Sequence, residues 1–131
     1  MNAERELVFV YGTLRSGGSN HFRMAGAEFI AAGTVSGRIY RIDWYPGLVL
    51  DADGGKISGE VYAAGADLLA RLDVFEGVSA EEVEGSEYRR VRTEVDTGAG
   101  NPVLAWVWEW LGPLEETKRI PGGDWLAVDC G

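Results

Sequence analysis

Apolar and polar positions alternate with a strand-like period over the first half of the chain, switch to a helical period once, and then return to alternation. Leu7-Val8-Phe9-Val10-Tyr11 is a near-continuous apolar run rich in β-branched and aromatic residues. Such a run suits a strand buried on both faces, and it is read here as the central first strand. Gly12 follows directly, and a loop with adjacent Gly17 and Gly18 comes next. Ser19 or Asn20 is placed to cap a short helix reaching about Gly26, because a short polar side chain accepts an otherwise unpaired N–H. Residues 29 to 42 mix β-branched residues with Gly33 and Gly37, which predicts a bent or bulged strand. Tyr45-Pro46-Gly47 turns the chain into a short strand over 47–50. Asp51-Ala52-Asp53-Gly54-Gly55 reads as a hairpin turn into a strand over 56–63, with Ile57, Gly59, Val61 and Ala63 on one face. Strands joined this closely are predicted to be antiparallel.

The helical stretch begins at Ala66 or Asp67. Leu68, Leu69, Leu72 and Phe75 share a face at helical spacing, and Gly77 stands where a C-terminal capping glycine belongs. Glu81, Glu82, Glu84 and Glu87 make the next segment an acidic surface loop. Alternation resumes over 88–95, with Val91, Thr93 and Val95 opposed to Arg90, Arg92 and Glu94. It continues over 103–110, where Leu104, Trp106, Trp108 and Trp110 fall on one face, a row that predicts extensive burial. The tail, 113–131, reads as irregular, with Trp125 packing back on the body. About six short strands, many of them antiparallel, with one clear helix and one or two short ones, predict an α+β fold built on a small curved sheet or barrel.

Composition narrows the possibilities. The 131 residues fit a single domain over 1–131, large enough to bury a core without disulfides or a structural metal. A single cysteine, Cys130, leaves no disulfide framework and predicts a reducing, cytoplasmic setting; without a Cys/His cluster no metal site is expected. No apolar stretch approaches transmembrane length, so no membrane partner is expected. Twelve basic against 21 acidic residues, a net charge of −9, argue against nucleic acid. The deficit is uneven, with residues 1–50 near neutrality and the acidic excess in the remainder.

Little nucleophilic chemistry is available. His21 is the only histidine, so a triad would have to pass through it, and its position favours a helix-start or surface role. Gly12, Gly17 and Gly18 match neither a Walker nor a dinucleotide fingerprint. Among carboxylates, Glu76 stands out, at the end of the amphipathic helix and beside Phe75. There the negative end of the helix dipole and partial burial would both raise its pKa toward the range of a proton shuttle. A solvated helix-end glutamate is the plainer alternative. Asp73 lies three residues before Glu76, but paired glycosidase carboxylates flank a substrate from separate elements, so that pairing is not expected to be catalytic.

The motifs, in order, are Val8-Phe9-Val10-Tyr11-Gly12-Thr13-Leu14-Arg15 with Asn20-His21, Tyr45-Pro46-Gly47, Gly59-Glu60-Val61-Tyr62, Leu72-Asp73-Val74-Phe75-Glu76-Gly77, Glu87-Tyr88-Arg89-Arg90 and Gly123-Asp124-Trp125. Together they resemble the gamma-glutamylcyclotransferase-like family, in particular its gamma-glutamylamine cyclotransferase branch, over nearly the whole chain. The resemblance implies a small, mixed, mostly antiparallel barrel with flanking helices and a cavity between the first-strand loop and the glutamate after the helix. It implies that the backbone of Tyr11, Gly12, Thr13 and Leu14 holds the amino-acid end of a γ-glutamyl substrate, with Gly12 admitting the ligand to the backbone. Glu76 would be the acid/base, and no cofactor is implied. Tyr88 would either add a polar contact or pack on the core. The implied reaction is intramolecular cyclisation to 5-oxoproline and a free amine. Two alternatives are a non-catalytic module of the same fold that binds an amino-acid-like ligand and an enzyme that opens the amide with water.

Overall fold

A computed structural model describes residues 5–76 and 88–129. Six strands form one curled mixed sheet: β1 (Glu6–Val10), β2 (Glu28–Arg41), β3 (Pro46–Leu50), β4 (Gly55–Ala64), β5 (Tyr88–Val95) and β6 (Val103–Trp110), in the spatial order β3-β2-β4-β1-β6-β5. The apolar run of β1 lies in the interior of this sheet, antiparallel to β4 and parallel to β6. Past the end of β5, Asp96 exchanges both backbone hydrogen bonds with Thr34 of β2, at 2.9 and 3.0 Å. That bridge draws the β5 end of the sheet round toward β2 and curls it into a half-barrel.

Side-chain alternation divides the buried residues into two cores. Every strand contributes to the first, which contains Phe9, Val35, Ile39, Leu48, Ile57, Val61, Val95, Ala105 and Val107, together with Ile120 and Trp125 from the C-terminal segment. The second lies on the opposite faces of β1, β4 and β6, where Val8, Val10, Tyr62, Ala64, Trp108 and Trp110 meet helix α1 (Ala66–Phe75) through Leu68, Leu69 and Leu72. Each such leucine contributes about 1.5–3 kcal/mol by leaving water. The helix starts at Gly65 with Asp67 in its first turn, where a negative charge complements the dipole. It ends at Glu76, whose amide donates to the Leu72 carbonyl at 2.9 Å.

Several expectations change. β3 and β4 do not pair with each other; both are antiparallel to β2. Leu50 and Gly55 stand opposite the same residue, Gly37, so residues 51–54 carry the chain past Gly37 instead of reversing it in a hairpin. A Cβ on Gly54 would lie 2.4 Å from the Gly37 carbonyl oxygen, which explains a glycine there better than turn grammar does. The irregularity in β2 falls between Phe29 and Ala31. Gly33, by contrast, allows a close approach, since its Cβ would meet Val95 at 2.7 Å. The helix expected before Gly26 is one 3-10 turn, His21–Met24, and Asn20 at its start makes no capping bond. The tryptophan row grades from exposed to buried: Leu104 is 58% exposed, Trp106 is covered by Arg90 and Arg92 at 4.4 and 4.5 Å, and only Trp108 and Trp110 are buried. The tail is more regular than expected, with a 3-10 turn (Glu116–Lys118) and a short helix α2 (Trp125–Asp129), while Trp125 is fully buried as anticipated. Gly77 and the acidic loop lie outside the described residues, as does Cys130. Among the described residues no helix is long and apolar enough to cross a membrane.

Candidate active site at the end of the first strand

Where β1 ends, the chain turns tightly. The Arg15 amide donates to the Gly12 carbonyl at 3.1 Å, Gly18 to Arg15 at 2.7 Å, and Asn20 to Thr13 at 2.8 Å. Gly17 has φ +92°, and a Cβ on Gly18 would lie 2.3 Å from the Thr13 oxygen, so this pair of glycines is needed to fold the loop back on itself. Among the described residues, the hydrogen bonds that close this turn do not use the amides of Gly12, Thr13 and Leu14 as donors. Side chains brace the loop from behind. Asn20 Nδ2 donates to Thr13 Oγ1 at 3.1 Å, and His21 Nδ1 meets the Leu14 carbonyl at 2.8 Å. A carbonyl only accepts, so His21 is the Nδ1–H donor there. His21 thereby braces the loop through the Leu14 carbonyl.

A second brace holds the far side. Arg15 pairs with Glu60 at 3.3 Å and Asp124 at 2.8 Å, while Glu60 Oε1 also accepts the Ser16 amide at 2.8 Å and the Tyr62 hydroxyl at 2.9 Å. Asp124 in turn accepts the Leu126 and Ala127 amides that begin α2. The loop after β1 is thus fixed to β4 by the nearly buried pair Arg15–Glu60 and to the C-terminal segment by the more exposed Asp124.

In front of the loop is a cavity of about 150 Å³ lined by Val10, Tyr11, Gly12, Thr13, Leu14, Trp44, Tyr45, Pro46, Phe75, Glu76, Tyr88 and Trp108. All six residues singled out from the sequence therefore border one space. The Glu76 carboxylate is close enough to Tyr11 that its charge, after burial, raises the phenol well above its ordinary value. The Tyr11 hydroxyl is committed elsewhere, donating to the Trp108 carbonyl at 2.7 Å. Tyr11 therefore offers the cavity its ring and backbone.

Tyr88 packs on the core and also borders the cavity. Its ring packs edge-on against Trp110 at 5.2 Å, and its hydroxyl donates to the Pro46 carbonyl at 2.7 Å while lining the cavity. Gly12 requires a correction. A Cβ there would meet Pro46 Cγ at 2.6 Å, so the missing side chain makes room for the proline ring that forms the opposite wall. The glycine serves that packing, and both residues border the cavity. Asp73 is absent from the lining; it is 1% exposed and receives Trp108 Nε1–H at 2.9 Å with Arg90 at 3.0 Å. Burial raises its pKa despite those two partners. Trp44, Pro46 and Trp108 were not singled out as site residues in the sequence, because Pro46 and Trp108 reach the cavity from other strands and Trp44 from the loop between β2 and β3. The Tyr45-Pro46-Gly47 motif was the only local signal for that wall. No group of three or more potential metal ligands occurs among the described residues.

Comparison with known proteins gives a consistent picture. The family described as gamma-glutamyl cyclotransferase, AIG2-like, matches residues 8–127. The gamma-glutamylcyclotransferase family protein YtfP of Escherichia coli is 32% identical over 123 residues, covering 93% of this chain and 97% of that protein. A putative gamma-glutamylcyclotransferase of Vibrio cholerae is 35% identical over 127 residues, covering 92% and 96%. Among solved structures, an uncharacterised Pyrococcus horikoshii protein superposes with a TM-score of 0.70 at 29% identity, covering 95% of this chain and 93% of its own. A mouse AIG2-like protein shares the fold at a TM-score of 0.69 and 24% identity, covering 88% and 82%. With its curled six-stranded sheet and the loop-and-glutamate cavity at the end of β1, the chain belongs to the gamma-glutamyl cyclotransferase, AIG2-like family.

Proposed function

We propose that the protein cyclises the γ-glutamyl group of γ-glutamyl amines or γ-glutamyl amino acids, releasing 5-oxoproline and a free amine. The observation that carries this reading is the meeting of the Tyr11–Leu14 backbone and the Glu76 carboxylate around one small cavity. Support also comes from a Niallia circulans relative named gamma-L-glutamyl-butirosin B gamma-glutamyl cyclotransferase, 29% identical over 103 residues, or 77% of this chain and 64% of that protein.

The substrate's α-nitrogen enters as an ammonium group with three protons and ends in the lactam with one. The leaving nitrogen begins as an amide with one proton and departs as an ammonium ion with three. Two protons therefore travel between these nitrogens while a new C–N bond forms at the γ-carbonyl and the old one breaks. In this reading Glu76, which borders the cavity, carries them. The loop amides would hold the substrate's α-carboxylate and stabilise the oxyanion formed as the nitrogen attacks. Holding the flexible chain in its cyclising shape supplies the entropic part of the acceleration.

The test is a panel of γ-glutamyl amines and dipeptides assayed for 5-oxoproline with the wild type and Glu76→Gln. Replacing the proton carrier should lower kcat by about 10²–10⁴-fold. Undiminished turnover by the variant would refute the role of Glu76. Release of glutamate in place of 5-oxoproline would make the protein an amidase, and binding without turnover would make it a ligand-binding module.

A further inference from the structure

We infer that Asp73 is a positioning residue of the site: the hydrogen bond it receives from Trp108, behind the cavity wall, sets where the end of helix α1 delivers Glu76 relative to the Tyr11–Leu14 loop. For its chemistry this rests on the cyclotransferase reading above; for the placement it rests on geometry alone.

Asp73 occupies a costly place for a carboxylate. It shares the buried face of α1 with Leu68, Leu69 and Leu72, just under one helical turn before Glu76. Taking a carboxylate out of water is less favourable than packing a hydrocarbon of the same size into that seam. What it holds explains its presence there. Trp108 Nε1–H, from β6, donates to Asp73 Oδ1 at 2.9 Å, and Arg90, from β5, pairs with the same oxygen at 3.0 Å. The indole supplies direction and the guanidinium supplies charge.

The tie continues to the loop after β1. The Trp108 carbonyl accepts the Tyr11 hydroxyl at 2.7 Å, so Asp73, Trp108 and Tyr11 form one connection across α1, β6 and the end of β1. Trp108, Tyr11 and Glu76 all border the cavity, and Asp73 stands behind them. On the outer side of the helix end, Arg23 stacks on Phe75 at 4.2 Å. Arg23 is exposed, and a cation–π contact open to water is weak. A proton carrier must lie within hydrogen-bond reach of the reacting nitrogens, and a misplacement of about 1 Å can lower the rate by about 10²-fold.

The experiment separates the bond from the burial. Asp73→Asn keeps an oxygen for the Trp108 N–H and loses the charge. The double variant Asp73→Leu with Arg90→Met loses both and fills the seam with hydrocarbon, a replacement that tends to preserve stability. With γ-glutamyl-ethylamide and γ-glutamyl-alanine as probes, kcat should stay within about threefold of wild type in Asp73→Asn and fall by about 30–100-fold in the double variant, while KM changes by less than about threefold in either. Urea unfolding should show the double variant to be as stable as the wild type. Crystal structures of the same variants read the placement without chemistry: the Glu76 carboxylate should move relative to Gly12 in the double variant and hold its place in Asp73→Asn. Should the double variant not fold, as circular dichroism would show, Trp108→Phe takes its place, since it keeps a ring in the wall and removes the N–H donor. Wild-type kcat in the double variant, or a loss in Asp73→Asn as large as in the double variant, would overturn the role of Asp73 and leave the cyclotransferase reading standing. A wild-type protein that turns over no γ-glutamyl compound, with Glu76 displaced in the double variant and not in Asp73→Asn, would sink the cyclotransferase reading and keep the placement role. No turnover and an unmoved Glu76 would overturn both.

Discussion

Gly12 and Tyr88 meet across Pro46, and the shape of the cavity depends on that contact. Gly12→Ala forces a methyl into the proline ring, since the Cβ would lie 2.6 Å from Pro46 Cγ. The expected cost is about 1–3 kcal/mol in urea unfolding, with a rise in KM as the opposite wall shifts. Tyr88→Phe leaves the Pro46 carbonyl without the donor that now sits 2.7 Å away. It should cost about 1–3 kcal/mol in thermal or chemical denaturation. At this scale the sequence disclosed what is contiguous. Tyr11 to Leu14 and Glu76 were legible because each occupies the end of an element whose period is plain. Trp108 was legible only as core, because its place in the wall depends on which strand lies beside β1.

Between elements, the charges around Arg15 determine how rigidly the loop after β1 is held. Glu60→Gln removes the charge that faces Arg15 and weakens the acceptor for the Ser16 amide and the Tyr62 hydroxyl. Breaking a buried pair in this way should cost about 3 kcal/mol. If the loop holds the substrate, KM should rise more than kcat falls, which steady-state kinetics would show. The network was invisible in the sequence because its members come from β4, the loop after β1 and the C-terminal segment. Helix α1, by contrast, was read nearly to the residue, since an amphipathic period is a local property. The β3–β4 link was misread for the complementary reason. Asp-Gly-Gly composition predicts a turn, but which strand lies alongside is decided by Gly37, a residue remote in sequence whose backbone Gly54 must pass.

Across the whole molecule, two carboxylates give stability opposite dependences on pH. The Trp106 indole N–H, together with Arg92, holds Glu6 below its ordinary value. Its contribution is therefore present above the unfolded value near 4.3 and disappears as the pH falls through the lower folded value. Burial holds Asp73 above its ordinary value, so its contribution is full below the unfolded value near 3.9 and is lost as the pH rises through the folded one. Urea unfolding across the acid range should show Glu6→Gln flattening the loss on acidification, and Asp73→Asn removing the loss on the rising side. The curled sheet with a few flanking helices was legible as a class from strand number and glycine spacing; its closure through Thr34 and Asp96 was not, because neither residue has a pattern that marks it. The parallel seat of β6 beside β1 has a consequence for biosynthesis. Tyr11 and Trp108, 97 positions apart, share a hydrogen bond in the wall of the cavity. A ribosome-bound chain has already made the loop after β1 and Glu76 but cannot assemble the pocket until β6 has emerged. The pocket should therefore form only once β6 has been synthesised, and a chain stopped before residue 103 should remain unfolded.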